Sequence, residues 1–316
     1  MLAFALRRLV SLVVTLAVAS ALIFAVLEVL PGDVAEVILG VNATPERVAA
    51  LRMELGLDRP ALVRYGEWIA GLLQGDLGLS YVRPRPVADI LADRLWVNLP
   101  LALFALLLTV LAAVPLGTFA AGRRGRAADY GVMGLLQVGM AVPNFWIGLL
   151  LVEVFAIALH WLPSISFPGW DAGFWRALGA LILPAVALAI PQAAVLARVM
   201  RAALLDVLGE DFIRTARAKG LSRRAVLLRH AFRNALVPVV TIIGLQFAFL
   251  VSGTVIIEAV FSLPGVGRLV FQAVADRDLA VVRGVVLLLV ASVVVVSALV
   301  DLAYAVIDPR IRTRTA

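Results

Sequence analysis

The sequence predicts an all-α, polytopic membrane protein with six transmembrane helices, and three observations carry that expectation. Mean hydropathy is +1.02, and only 16% of the 316 residues are charged, against about 25% in soluble domains. Apolar runs long enough to cross a hydrocarbon core of roughly 30 Å as helix fall at about 9–30, 99–121, 132–158, 177–200, 236–257 and 284–307. Arginine is also spread so unevenly between alternate connectors that a topology follows from it.

The first run begins after Arg7 and Arg8 and contains Ala17-Val18-Ala19, a pattern that signal peptidase accepts. It continues through "ALIFAVLEVL", too far for a signal core, so 1–30 is expected to remain an uncleaved first helix. Residues 31–98 form the one sizeable polar connector. Thr44 and Pro45 read as N-cap and first residue of a helix ending at Gly56. Pro60 opens another through Leu73, and "QGDLG" turns the chain. Asn42-Ala43-Thr44 fits a glycosylation acceptor but is read as a helix entry. Pro86 introduces "VADILADRL", an amphipathic segment expected at the membrane interface before the second span.

Residues 99–307 form a five-helix core that includes the loop 201–235, and 308–316 form a tail. Pro115, Pro143, Pro184 and Pro191 inside the spans predict kinks near a path or an interface. With both termini and the even-numbered connectors on one side, that side carries 17 basic and five acidic residues, and the other 11 and 13. Both termini and the 201–235 loop are therefore expected in the cytoplasm, and 31–98 outside.

The stretch "RTARAKGLSRRAVLLRHAFRNALVP", Arg214 to Pro238, holds seven Arg or Lys, one His and no acid. Gly220 suits the left-handed position past a helix end and Ser222 the N-cap of the next helix, so two helices meet at a tight elbow. In the second, Leu228, Ala231, Phe232 and Ala235 recur at helical spacing. Attraction to anionic lipid explains the charge but not the elbow. A helix-turn-helix tethered between two spans cannot reach a nucleic-acid groove. Docking of a cytoplasmic partner accounts for both features.

This loop resembles that of ABC-transporter permeases of the dipeptide, oligopeptide and nickel family. So do "LRRLVSLVVTLAVASALIFAVLEVLPGD", "GDLGLSYVRPRPV", "AVPNFWIGLLL", "EAVFSLPGVGRL" and "DLAYAVIDPRIR", in order along the chain. ABC importers generally carry Glu-Ala-Ala in this loop, with Gly six residues after the Glu. Ala216 and Gly220 match, while Arg214 and Thr215 replace the Glu and the first Ala, so a role specific to that Glu does not transfer. The resemblance implies a type I importer permease bundle in a bacterial inner membrane, paired with a second homologous permease, two ABC ATPase subunits and an extracytoplasmic substrate-binding protein. Residues 211–221 would be the coupling helix seated on an ATPase, with Arg214, Thr215, Ala216, Arg217, Lys219, Gly220 and Leu221 as its contacts and Ala216 and Ala218 permitting close approach. The solute would be a dipeptide, an oligopeptide, a glutathione-like peptide or a nickel chelate.

A phosphate-binding P-loop requires Gly-Lys-Ser/Thr, and the only lysine, Lys219, lies between Ala and Gly. The chain therefore has no ATP site of that type and is read as non-enzymatic and cofactor-free, with ATP and Mg bound by partners. Two His and no Cys argue against a transition-metal site. The alternative is an intramembrane enzyme using Glu153 or Asp301 as acid or base, since a charge within the bilayer is costly. Candidates for the translocation path or its gate are Asn144, Glu153, Gln192, Gln246, Ser252, Thr254 and Glu258; each polar group is equally suited to satisfying a backbone or joining two helices. His160 and Glu28 read as interfacial.

Overall fold

The computed structural model describes residues 2–29, 33–163, 166–252 and 254–307. The tail 308–316, Gly253 and the side chains of Ser252 and Asp301 lie outside the described residues. In chain order the helices are α1 (Leu2–Val29), α2 (Val34–Leu39), α3 (Pro45–Glu54), α4 (Ala61–Leu73), α5 (Val87–Gly122), α6 (Ala127–Ala141) and α7 (Asn144–Leu151). There follow α8 (Phe174–Val207), α9 (Asp211–Ala218), α10 (Arg223–Ala225), α11 (Phe232–Ser252), α12 (Val255–Val260), α13 (Val266–Ala275) and α14 (Leu279–Ile307). Two wide π turns, Val152–Ala158 and Val226–Ala231, follow α7 and precede α11. Among the described residues five helices are long and apolar enough to span a membrane, and α6 with α7 and its π turn makes a sixth if the bent pair is one span.

The chain divides into two compact units. One comprises residues 1–98 and 264–295. In it α1 is held by aromatic contacts to α4, with the Phe24 ring 5.3 Å from Tyr65 and 6.3 Å from Trp68. Arg283 sits over both Phe24 and Trp68. Glu28 pairs with Arg64, which accounts for a carboxylate at the end of a span. The connector is fastened to α14 through Asp278, which accepts from the Ser80 hydroxyl and the Tyr81 N–H. Its helices follow the local signals: Thr44 and Pro45 start α3, the φ of +65° at Gly56 ends it, and Gly75 and Gly78 turn the chain at φ +81° and +87°.

The other unit comprises residues 99–263 and 296–316, and α8 is its pillar. In its most apolar window 67% of residues are buried, against at most 33% for the other spans, and α6, α7, α11 and α12 all pack on it. Its buried positions are mostly Ala. Small residues replace the hydrophobic drive that lipid does not provide, because they let backbones approach closely. At Gly117 of α5 a Cβ would lie 2.5 Å from the Ala197 carbonyl oxygen and 2.8 Å from Met200 Cβ.

Three expectations need correction. "VADILADRL" is not a separate interfacial segment but the first turns of α5, which runs unbroken past Pro100 and Pro115. The run 132–158 is not one straight helix: it bends by 95° between α6 and α7. Pro143 lacks an N–H and forces Val142 out of the helical region, to φ −85°, ψ 125°. The fourth run does not end near 200: α8 continues to Val207, since residues 201–207 hold neither Gly nor Pro to stop it.

The Gly117 contact yields a paired prediction. Gly117→Ala overpacks the junction of α5 with α8 and lowers stability by about 1–3 kcal/mol. Gly134→Ala on α6, with nothing within 4 Å of its Cβ, raises it by about 0.5–1 kcal/mol. Thermal unfolding of the purified chain in detergent checks both.

Candidate functional site

The segment that follows α8 is built by local backbone chemistry. α8 stops at Val207, and Leu208-Gly209-Glu210 turns the chain, with the Gly209 N–H donating to the Asp206 carbonyl at 3.0 Å. α9 then has Asp211 in its first turn and Arg217 in its last, the arrangement that the helix dipole favours. Its end is a Schellman motif: the Gly220 N–H donates to the Arg217 carbonyl at 2.9 Å and the Leu221 N–H to the Ala216 carbonyl at 3.4 Å. That closure requires a left-handed residue, and Gly220 supplies φ +83°. Ser222 caps the next helix by accepting from the Ala225 N–H at 3.3 Å. The elbow is the one expected from the sequence.

The faces of α9 are less readable from spacing alone. Ile213 and Ala216 are 0% and 7% exposed and join a core cluster containing Leu204, Val226, Ala231 and Ala235. Ala216 therefore does not offer a small outward surface; it lets α9 lie close against its own bundle. Asp211, Arg214, Thr215 and Ala218 point outward, with Arg214 held by Asp211 at 3.1 Å and the Thr215 hydroxyl donating to the Asp211 carbonyl at 3.1 Å. Lys219, Gly220 and Leu221 are exposed as well. Phe212, overlooked in the sequence, presents an exposed ring beside them.

The helix after the elbow departs from the spacing expected of it. Its buried residues step from Val226 to Ala231, then to Ala235 and Val239. The first step, of five, is the period of the π turn, which rotates Leu228 outward to 48% exposure. A π turn leaves no mark on a short run of apolar residues, so α-helical spacing placed Leu228 wrongly.

A buried ion pair pins the same end of the bundle. Arg201 of α8 donates Nε and Nη2 to Asp129 of α6, both at 2.7 Å, and Asp129 also accepts from the Gly125 N–H at 3.0 Å. The carboxylate side chain is 2% exposed and the guanidinium side chain 24%. The partners lie 72 positions apart, and no local pattern pairs them.

The proposed path residues are not brought together into one lining. The Gln246 Nε2 donates to the Gln192 carbonyl at 2.9 Å, joining α11 to α8, while its Oε1 is buried without a partner among the described residues. Thr254 and Glu258, 1% and 0% exposed, bond to each other at 2.6 Å across one turn of α12, so neither opens onto a passage in this conformation. Asn144 is half-buried at the start of α7, and Glu153 is exposed on the π turn behind it. Ser252 lies outside the described side chains.

The chain matches the family model "Binding-protein-dependent transport system inner membrane component" over residues 113–313, and the N-terminal model of the same transport-system components over 1–102. It belongs to that family. It is 43% identical over 314 residues to a protein described as a peptide transport system permease of Brucella abortus, covering 99% of each chain. Over 312 residues it is 40% identical to the glutathione transport system permease protein of Escherichia coli (strain K12), again covering 99% of each. The methionine ABC transporter MetNI, in an inward facing conformation, superposes with a TM-score of 0.57 at 18% identity, over 69% of this chain and 96% of that one; that likeness concerns the fold. The chain is thus a multi-pass inner-membrane permease subunit of a binding-protein-dependent ABC importer, whose ATPase and binding protein are separate components. The acid–base reading of Glu153 or Asp301 gives way to this assignment.

Removing one partner of the ion pair isolates its contribution. Arg201→Met strands the Asp129 charge and costs about 3 kcal/mol, the low end for a broken buried pair because the guanidinium is partly solvated. Asp129→Leu added to it restores most of the loss. Unfolding midpoints of the two single variants and the double variant, with wild type, complete the cycle.

Proposed function

We propose that residues 211–221 are the coupling helix of this permease, through which closure of the ATPase subunits tilts the adjoining spans and opens the path alternately to the two sides. The observation that carries this reading is the build of α9: an eight-residue helix, seated inward on the bundle core through Ile213 and Ala216, closed by the Gly220 turn and showing a short outer face of Asp211, Arg214, Thr215 and Ala218 beside the Phe212 ring. A rod fixed at its inner face and both ends transmits displacement; a floppy basic loop does not. Lys219, Arg214 and Arg217 supply hydrogen-bond donors toward the partner, and Thr215, whose hydroxyl donates to Asp211, can accept there.

The full importer on this reading pairs the chain with a second homologous permease, two ATPase subunits that bind ATP and Mg, and an extracytoplasmic binding protein. Both termini and α9 lie in the cytoplasm, and residues 31–98 face the binding protein. The charge asymmetry between connectors supports that orientation. The core 99–307, with loop 201–235, forms half of the path. The permeases named above, for peptides and for glutathione, support a peptide or related small solute, nickel chelates included, as cargo.

Gly220 tests the coupling assignment cleanly, because nothing lies within 4 Å of its Cβ and any defect arises from the backbone. A left-handed conformation costs an ordinary L-residue about 1–2 kcal/mol, and Asn much less. Uptake and ATPase stimulation in the assembled importer should therefore fall in the order Gly220→Asn, Gly220→Ala, Gly220→Val, with membrane levels unchanged. Full uptake by the valine variant removes the assignment.

The absence of native cysteine makes orientation directly accessible. A single cysteine at Glu46 is expected to crosslink to the binding protein and one at Lys219 to an ATPase subunit. The reverse pattern inverts the topology.

A further inference from the structure

Beside the coupling helix lies a cleft of about 1260 Å³, lined by Arg123, Arg124, Arg126, Arg217, Arg223 and Arg224 and by no acidic residue. Among the described residues none of the six forms an ion pair. The Arg123 guanidinium stands 3.9 Å over the Phe119 ring, which holds its charge at the rim. Apart from Thr118, whose buried hydroxyl has no partner among the described residues, the rest of the lining carries no polar side chain and includes Val114, Pro115, Phe119, Leu205, Leu227 and Phe232. Arg124 lies within electrostatic reach of the Asp129 carboxylate; the other five like charges along a low-dielectric wall repel one another unless an anion lies among them.

The occupant must match both halves of this lining. A free phosphate or a nucleotide uses the guanidiniums but leaves the apolar floor bare. An acidic protein surface does the same, and α9 contributes only Arg217 to the cleft while Asp211, Thr215 and Ala218 stay clear of it. The floor runs along α5, a helix long and apolar enough to span a membrane. An ionised phosphodiester carrying acyl chains satisfies both requirements, since arginine forks bind phosphate oxygens bidentately and basic pockets between spans take anionic headgroups.

We propose that this cleft binds an anionic phospholipid, its phosphate among Arg123, Arg223 and Arg224 and its acyl chains along α5 and Leu227. The lipid bridges the end of α5 to the elbow and so stiffens the seat of α9. The five cleft arginines outside α9 then play a part distinct from docking the ATPase.

The full-length chain, purified in mild detergent, is titrated with phosphatidylglycerol, phosphatidylcholine or inorganic phosphate, and retained ligand is counted by native mass spectrometry. Phosphatidylglycerol is expected to stay bound, phosphatidylcholine and phosphate not. Arg123→Gln/Arg223→Gln/Arg224→Gln should weaken retention about a hundredfold, from roughly five-fold per arginine. Arg214→Gln/Arg229→Gln/Arg233→Gln, with equal charge loss outside the cleft, should leave it unchanged. Replacing the same three cleft arginines by Lys keeps the charge but loses the fork, and is expected to fall between; it decides the matter if the Gln variant does not fold. Equal retention of phosphatidylcholine, comparable binding of phosphate alone, or equal loss in the control triple overturns the proposal.

Discussion

The close approach of helix backbones around α8 is the constraint on which the core unit depends. Lipid offers no hydrophobic reward for bringing apolar helices together, so dispersion at short range must do it. That requires alanine and glycine where the axes meet, and α8 buries a long series of alanines, while α5 answers with Gly117. Larger residues at those points would separate the backbones and remove the contacts.

The α9 segment, the proposed coupling helix, inherits its rigidity from that pillar. α9 leaves α8 after a three-residue turn and folds back so that Ile213 and Ala216 enter the same cluster as Leu204. The pair between Asp129 and Arg201 fastens α6 to α8 near this point, so a push on α9 meets packed helices. At the elbow, the closing hydrogen bonds need a positive φ that only glycine supplies without strain. Rod, seat and hinge are thus separate pieces of physics: packing, a desolvated charge pair and backbone conformation.

Much of the elbow after α9 was legible in the sequence because its determinants are local. Gly220 past a helix end and Ser222 before the next are cap signals acting over four or five residues, and both act as read. In the connector, Pro45 and Gly56 bound α3 as read, and Thr44 holds the N-cap position without a side-chain cap bond. Failures came where the answer depends on distant partners or on helix register. Ala216 looked like a contact surface until its neighbours were known, the π turn displaced Leu228, and nothing in either sequence neighbourhood links Asp129 to Arg201. Nor does the sequence show that the Gln246 amide reaches a carbonyl on α8 or that Glu258 bonds to Thr254.

Composition and pattern alone determined that this chain lives in a bilayer, that it is helical, and where its elbow lies. Those follow from the cost of unsatisfied backbone groups in hydrocarbon and from cap chemistry, both properties of short segments. The tertiary structure decided which face of each helix is buried, that the third run bends at Pro143, and that arginines from three separate elements surround one cleft. In an almost uniformly apolar chain, periodicity carries little information about burial. Only the packing of one helix against another tells an inward alanine from an outward one.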